Sequence, residues 1–451
     1  MSRIRADRYT NREGTGAPTF ADGVNVVGIS SLGITTVTGV GQTALTVNGD
    51  ARITGVLTVG QGSVTIDGTS GNSSITGVTT AGIGSVYGVD SINDLGFPNA
   101  GPLSNRNLII NGAMTVAQRG TSHTSQHNIN NYGVDRWQVV CPNTSAVLVH
   151  SHETTGGPEG FNNWLKISPS TADTTISPND YSSVAQKIEG YNFASAQYGL
   201  SDAKEVTVSF KFKTNKAGTY CITHRNNVAD RNYIHEFTPV ADGNWQTITY
   251  TVPGDTTGTW EKTNNIGWRF EIFLANGTTN QSSTTDTWFG GSYYHSTPNQ
   301  VNFLDSTSNE LGITGVQVEL GSKATPFEHR SFHDEQLKCM RYYQHFGNAL
   351  ASDDGTDDGF MMFHNWATTT AYGAQKFIVP MRARPSLTSP SSGLTYYSGG
   401  SLDSSINLDL IGANTNNGEL RINDVSGLTQ GTSGWLRIEG SGAYIAFSAE
   451  L

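Results

Sequence analysis

The stretch DTWFGGSYYHSTPNQ, residues 286–300, crowds Trp288, Tyr293, Tyr294 and His295 beside Asp286 and Asn299. Sugars present apolar C–H faces next to hydroxyls, so a site that holds them pairs aromatic platforms with Asn, Asp or Gln. Trp288, Tyr293 and Tyr294 are therefore candidate glycan contacts, and Tyr396 and Tyr397 offer a second aromatic pair. The same rings would serve equally well as strand residues in a core.

Other chemistries find less support. A glycosidase needs two carboxylates about 5–9.5 Å apart, and Asp286, Asp305, Glu310 and Glu319 could supply them, but nothing in their spacing marks a pair. No catalytic residue is assigned and no enzyme is expected. In DDGTDDG, residues 353–359, Asp354, Thr356, Asp358 and Gly359 stand at calcium-loop offsets. The twelfth position, where such a loop places a bidentate Glu, is Asn365. A solvated acidic turn is expected, with calcium near Asp354 the alternative. His329, His333 and His345 flank Cys339 without a zinc-site spacing. Cys141, Cys221 and Cys339 are isolated and odd in number, which predicts buried free thiols. Neither a metal nor a cofactor is expected.

Composition narrows the fold. Only 14% of the 451 residues are charged, against about 25% in ordinary globular chains, while 52 are Gly and 10% aromatic. That favours β-structure solubilised by hydroxyls and amides. The length predicts about three domains. A net charge of −11 argues against nucleic-acid binding. No apolar run approaches the roughly 20 residues of a membrane span, and MSRIRADRYTNREG lacks a signal peptide's apolar core.

The chain reads as five parts. Residues 1–25 alternate Arg3, Arg5, Arg8 and Arg12 with acidic residues and have almost nothing to bury, as in a peptide that orders on a partner. Residues 26–103 hold short β-branched runs between glycines, such as ALTVNGDARITGVLTVG. Strands that short make no core from one chain, which predicts an intertwined trimeric β-shaft. Pro98 and Pro102 end it. Residues 104–330 alternate cleanly: Val206, Val208, Phe210 and Phe212 share one face in KEVTVSFKFKT, and Trp268, Phe270, Ile272 and Leu274 share one in WRFEIFLANG. Many such strands predict a β-sandwich. One helix is predicted over 331–346, capped by Ser331 with Asp334, with Leu337 and Met340 on one face that Tyr343 or Gln344 continues. Residues 347–451 predict a second β-domain.

NLIINGAMTVAQRGT, YGVDRWQVV, AQKIEGY and LGITGVQVELGSKATPFEHRS, in that order, resemble the jelly-roll module of tail-fibre and receptor-binding proteins of tailed bacteriophages, itself similar to carbohydrate-binding sandwiches. The start MSRIRADRYTNREGTGAPTFADGV and VNGDARITGVLTVG resemble the attachment end and shaft of marine cyanophage fibres, and PMRARP and the final AEL resemble their C-terminal sandwich. The resemblance implies an all-β virion protein of the tail, assembled in the host cytoplasm as a homotrimer. Its Arg-bearing N-terminus would dock on a tail nozzle or adaptor, and it would adhere non-covalently to a host surface glycan. Alternatives are a purely structural adaptor or head fibre, and a polysaccharide depolymerase tailspike.

Overall fold

A computed structural model of the chain describes residues 91–92, 95–96 and 104–451, apart from 126–127, 348–357, 390–392, 405, 424 and 440–442. The docking arginines Arg3, Arg5, Arg8 and Arg12, the calcium alternative at Asp354 and nearly all of the shaft lie outside the described residues; of 26–103, the hairpin Ser91–Ile92 with Leu95–Gly96 is described.

Two antiparallel sheets form the jelly-roll sandwich. One has six strands in the order Gln246–Val252, Val206–Thr214, Leu311–Leu320, Trp164–Thr171, Val147–Glu153, Ser122–Ser125. The other has seven, in the order Phe289–Gly290, Arg231–Phe237, Tyr220–Arg225, Ile266–Asn276, Tyr181–Glu189, Gln138–Cys141, Asn128–Tyr132. The expected alternation is realised: Val206, Val208, Phe210 and Phe212 from one sheet meet Trp268, Phe270, Ile272 and Leu274 from the other in one apolar core. All three cysteines are buried and free.

The segment NLIINGAMT is buried without being a strand. Asn111 takes φ 58°, and its side-chain amide donates to the carbonyls of Val116 and Asp135 while its Oδ1 accepts from Val116 N. Gly112 follows because a Cβ there would stand 2.2 Å from the Val316 carbonyl oxygen. These contacts give a loop the hydrogen bonds that a strand would have found in a ladder.

Ser331 caps the helix as expected, accepting from Asp334 N. Its extent is corrected. The helix runs Phe332–Met340 and stops, because Tyr343–Gly347 pairs with Tyr444–Ser448 as a strand. Its buried residues are Glu335 and Cys339, not Leu337 and Met340, since the Glu335 carboxylate faces inward to accept from Asn111 N and Arg330.

Beyond it, a three-stranded sheet of Tyr343–Gly347, Tyr444–Ser448 and Ser386–Thr388 packs with a seven-stranded one around a second apolar core. The latter runs Ser401–Asp403, Leu394–Ser398, Ser433–Ile438, Asp358–Ala367, Thr370–Lys376, Asn417–Asn423, Asn407–Ala413. The described residues of the sandwich and these sheets fall in one compact unit.

Burial strips His150, His224 and His295 of solvation and pushes each imidazole down to about 3. Unfolded, each takes a proton below about pH 6.5; folded, it stays neutral to about pH 3, so the unfolded state binds more protons in between. These three groups should remove about 4 kcal/mol of stability per pH unit as pH falls from about 6 to 4. Urea unfolding across that range measures it; a flat profile would contradict the burial of these rings.

Candidate functional site

The outer face of the seven-stranded C-terminal sheet carries a row of exposed apolar side chains set by strand register. Leu402 pairs with Tyr397, Tyr397 with Trp435, and Trp435 with Met362, so the four lie side by side across four strands. Leu402, on the edge strand, is 58% exposed, and Trp435 and Met362, on inner strands, are 51% and 62% exposed, which is high for apolar side chains within a sheet. The next row pairs His364 with Tyr372 and Tyr372 with Arg421, and Trp366, 62% exposed, meets the Tyr372 ring edge-on at 6.3 Å.

What holds the row outward lies beneath it. Phe363 and Leu436, the strand neighbours of Met362 and Trp435, are buried in the core. Asn365, fully buried, donates from Nδ2 to Ser398 Oγ at 2.9 Å and Thr432 Oγ1 at 2.8 Å and accepts from the Tyr396 hydroxyl at 2.6 Å. Gly434 has no side chain because a Cβ would lie 2.4 Å from the Tyr396 ring. The Tyr396–Asn365 bond and the glycine thus seat three strands whose outward residues are Tyr397, Trp435 and Trp366.

Polar groups border the apolar row. The Arg437 guanidinium lies 5.2 Å from the Tyr397 ring centroid, and Arg421 donates to Asp409 at 2.8 Å. The surface therefore offers flat aromatic faces with hydrogen-bonding groups alongside, the combination that a sugar ring requires.

The five residues named from sequence fall in different places. Tyr397 lies in the row. Tyr396 is corrected: it is 1% exposed, with its hydroxyl spent on Asn365, so it supports the surface from below. Trp288 is half-buried against the sandwich core, donating to the Pro253 carbonyl at 2.7 Å with Tyr198, Tyr233 and Trp260 around its ring. Tyr294 packs on Phe289 at 5.3 Å. Tyr293 is 54% exposed on a φ of 57°. Sequence reading missed Trp366, Met362 and Trp435. Trp435 had a signal: in GWLRIEG it alternates in phase with Arg437, which marks its side as the wet one.

The four carboxylates considered for catalysis are engaged. Asp286 binds His235 and Tyr233, and Glu319 binds Thr325 and Gln317. Against the upward pull of burial, Lys216 and Asn309 hold Asp305 below the usual carboxylate range, and Lys166 and Lys213 do the same for Glu310. Among the described residues no group of three or more His, Cys, Asp or Glu could hold a metal ion. A cleft of about 830 Å³ between sandwich and C-terminal sheets is lined by Tyr132, Lys187, His345, Arg384 and Tyr444 among others.

No protein-family model matches the chain, and no curated protein matches it in sequence. Among solved structures, it is similar to the enzymatically active domain of a tailspike of bacteriophage CBA120, at 10% identity and a TM-score of 0.25 over 48% of this chain and 21% of that one. A CBM4 carbohydrate-binding module is similar at 14% identity and a TM-score of 0.25, over 47% of this chain and 97% of the module. A family 11 carbohydrate-binding module from Clostridium thermocellum is similar at 15% identity and a TM-score of 0.23, over 46% of this chain and 99% of the module.

The geometry separates surface from support. Trp435→Ala should change unfolding free energy by less than about 1 kcal/mol, whereas Tyr396→Phe, which strands the buried Asn365 oxygen, should cost about 1–3 kcal/mol. Urea denaturation of the two variants measures the contrast; equal losses would contradict this assignment.

Proposed function

We propose that this chain is an adhesive virion component, a phage tail-fibre subunit that binds a host surface glycan without covalent chemistry. The observation that carries the reading is the row Leu402, Tyr397, Trp435 and Met362 with Trp366 beside it on one sheet face, Tyr397 half-buried and the other four exposed. Arg437, Arg421 and Asp409 stand within or next to this surface and supply the donors and acceptors that sugar hydroxyls need. Flat indoles bordered by donors and acceptors suit a saccharide.

One aromatic contact is worth only about 0.5–1.5 kcal/mol, so a single site would be weak. Homotrimerisation through residues 26–103, with the Arg3–Arg12 peptide docked on a tail nozzle or adaptor, would present several sites together. Avidity then gains about 10²–10⁴ without any new contact. The reading invokes no catalytic residue and no cofactor.

The purified full-length chain should sediment as a trimer and bind extracted host lipopolysaccharide saturably. A Trp366→Ala/Trp435→Ala double variant should bind at least about tenfold more weakly at unchanged oligomeric state. Undiminished binding by the double variant would overturn the role of this surface, and loss of the trimer in that variant would make the surface an interface between copies.

A further inference from the structure

On the sandwich, far along the chain from the aromatic row, three cations face one another across adjacent strands. The register sets Arg225 opposite Arg269 and Arg269 opposite Lys187. Like charges directly opposite in a sheet repel, and Glu271 is the carboxylate that sits between Arg225 and Arg269. It pairs with Arg225 through Nη2. Arg269 forms no ion pair among the described residues and donates from Nη2 to the Asn227 carbonyl at 3.5 Å; Lys187 donates to the Leu451 carbonyl at 2.6 Å.

The guanidiniums are left short of acceptors. Arg225 is 4% exposed, yet its Nε and Nη1 have no hydrogen-bond partner, and neither does Nε of Arg269. A buried guanidinium stripped of water and only partly paired costs several kcal/mol, so this arrangement is poor as a stability device. An anion received there would supply the missing acceptors.

Aromatic rings border the same spot. The loop after Phe289 is tied to the sheet where Asn232 Nδ2 donates to the Gly291 carbonyl at 2.9 Å and Thr223 Oγ1 donates to the His295 carbonyl. It holds Tyr293, exposed and in the left-handed region at φ 57°, with its ring centroid 5.9 Å from the Arg225 guanidinium. Tyr181, half-buried, packs on His295 at 4.5 Å on the same face. Paired guanidinium forks match a planar carboxylate, and a neighbouring exposed tyrosine offers a face to the ring that bears it.

We infer that Arg225 and Arg269, with Tyr293 beside them, form a second saccharide site that takes a carboxylate-bearing sugar such as a uronic acid. Arg225 and Arg269 bind the carboxylate, Tyr293 lies against the sugar ring, and Glu271 fixes the Arg225 fork. The site is separate from the C-terminal aromatic row, and either can fail without the other.

Isothermal titration of the full-length chain with trigalacturonic acid, neutral galactotriose and inorganic phosphate tests the inference. Trigalacturonic acid should bind and galactotriose should not. Arg269→Gln should weaken binding at least about tenfold, the loss of one charge-assisted contact, and Tyr293→Ala should weaken it as well. Trp435→Ala should leave it unchanged. No binding of trigalacturonic acid to the wild type, or equal binding by Arg269→Gln, would overturn the site. Full displacement by phosphate together with an inert Tyr293→Ala would reduce it to a bare anion site and overturn the assignment to a sugar.

Discussion

A seam of buried charge fixes the C-terminal sheets on the sandwich, and the aromatic row on their outer face depends on it. Glu450 accepts from Arg119 and from Arg136, which is 2% exposed, while Arg119 also pairs with Asp135 at 2.7 Å. The two guanidiniums lie over the rings of Tyr343 and Tyr342 at 3.5 and 3.6 Å. Arg382 completes the seam by donating to the carbonyls of Ala449, Glu450 and Asn264, the last from the sandwich. Removing one member of such a network leaves a buried charge unpaired, at about 3–5 kcal/mol. Strong geometry of this kind is what lets a thin C-terminal sheet present rigid aromatic faces.

The seam also explains two short motifs. PMRARP contributes Arg382 and AEL contributes Glu450, and they meet in space although 68 residues separate Arg382 from Glu450 in sequence. Neither motif touches the aromatic row. Their role is to dock the element that bears it, while the row itself comes from residues with no motif signature.

Period-two alternation made the sandwich legible: KEVTVSFKFKT and WRFEIFLANG have one apolar side each, and those sides form the core. Register was not legible, because pairing depends on strands distant in sequence. The row Leu402, Tyr397, Trp435, Met362 is assembled from four segments spread over residues 362–435. Tyr396 and Tyr397 are adjacent and chemically alike, yet one is core and the other surface; only the phase of their strand against Asn365 decides which. Glu335 shows the converse, a charged residue turned inward because a backbone amide and Arg330 await it.

A rod that carries several weak sugar contacts gains adhesion from number and rigidity, and we propose that the outer face of the C-terminal sheet makes those contacts. Hydroxyl-radical footprinting of the intact protein, with and without host lipopolysaccharide, reads that face directly, since Met362, Trp366 and Trp435 are exposed and readily oxidised. Protection of these three residues on glycan binding is the predicted result. Unchanged oxidation of all three while the glycan is bound would contradict the account.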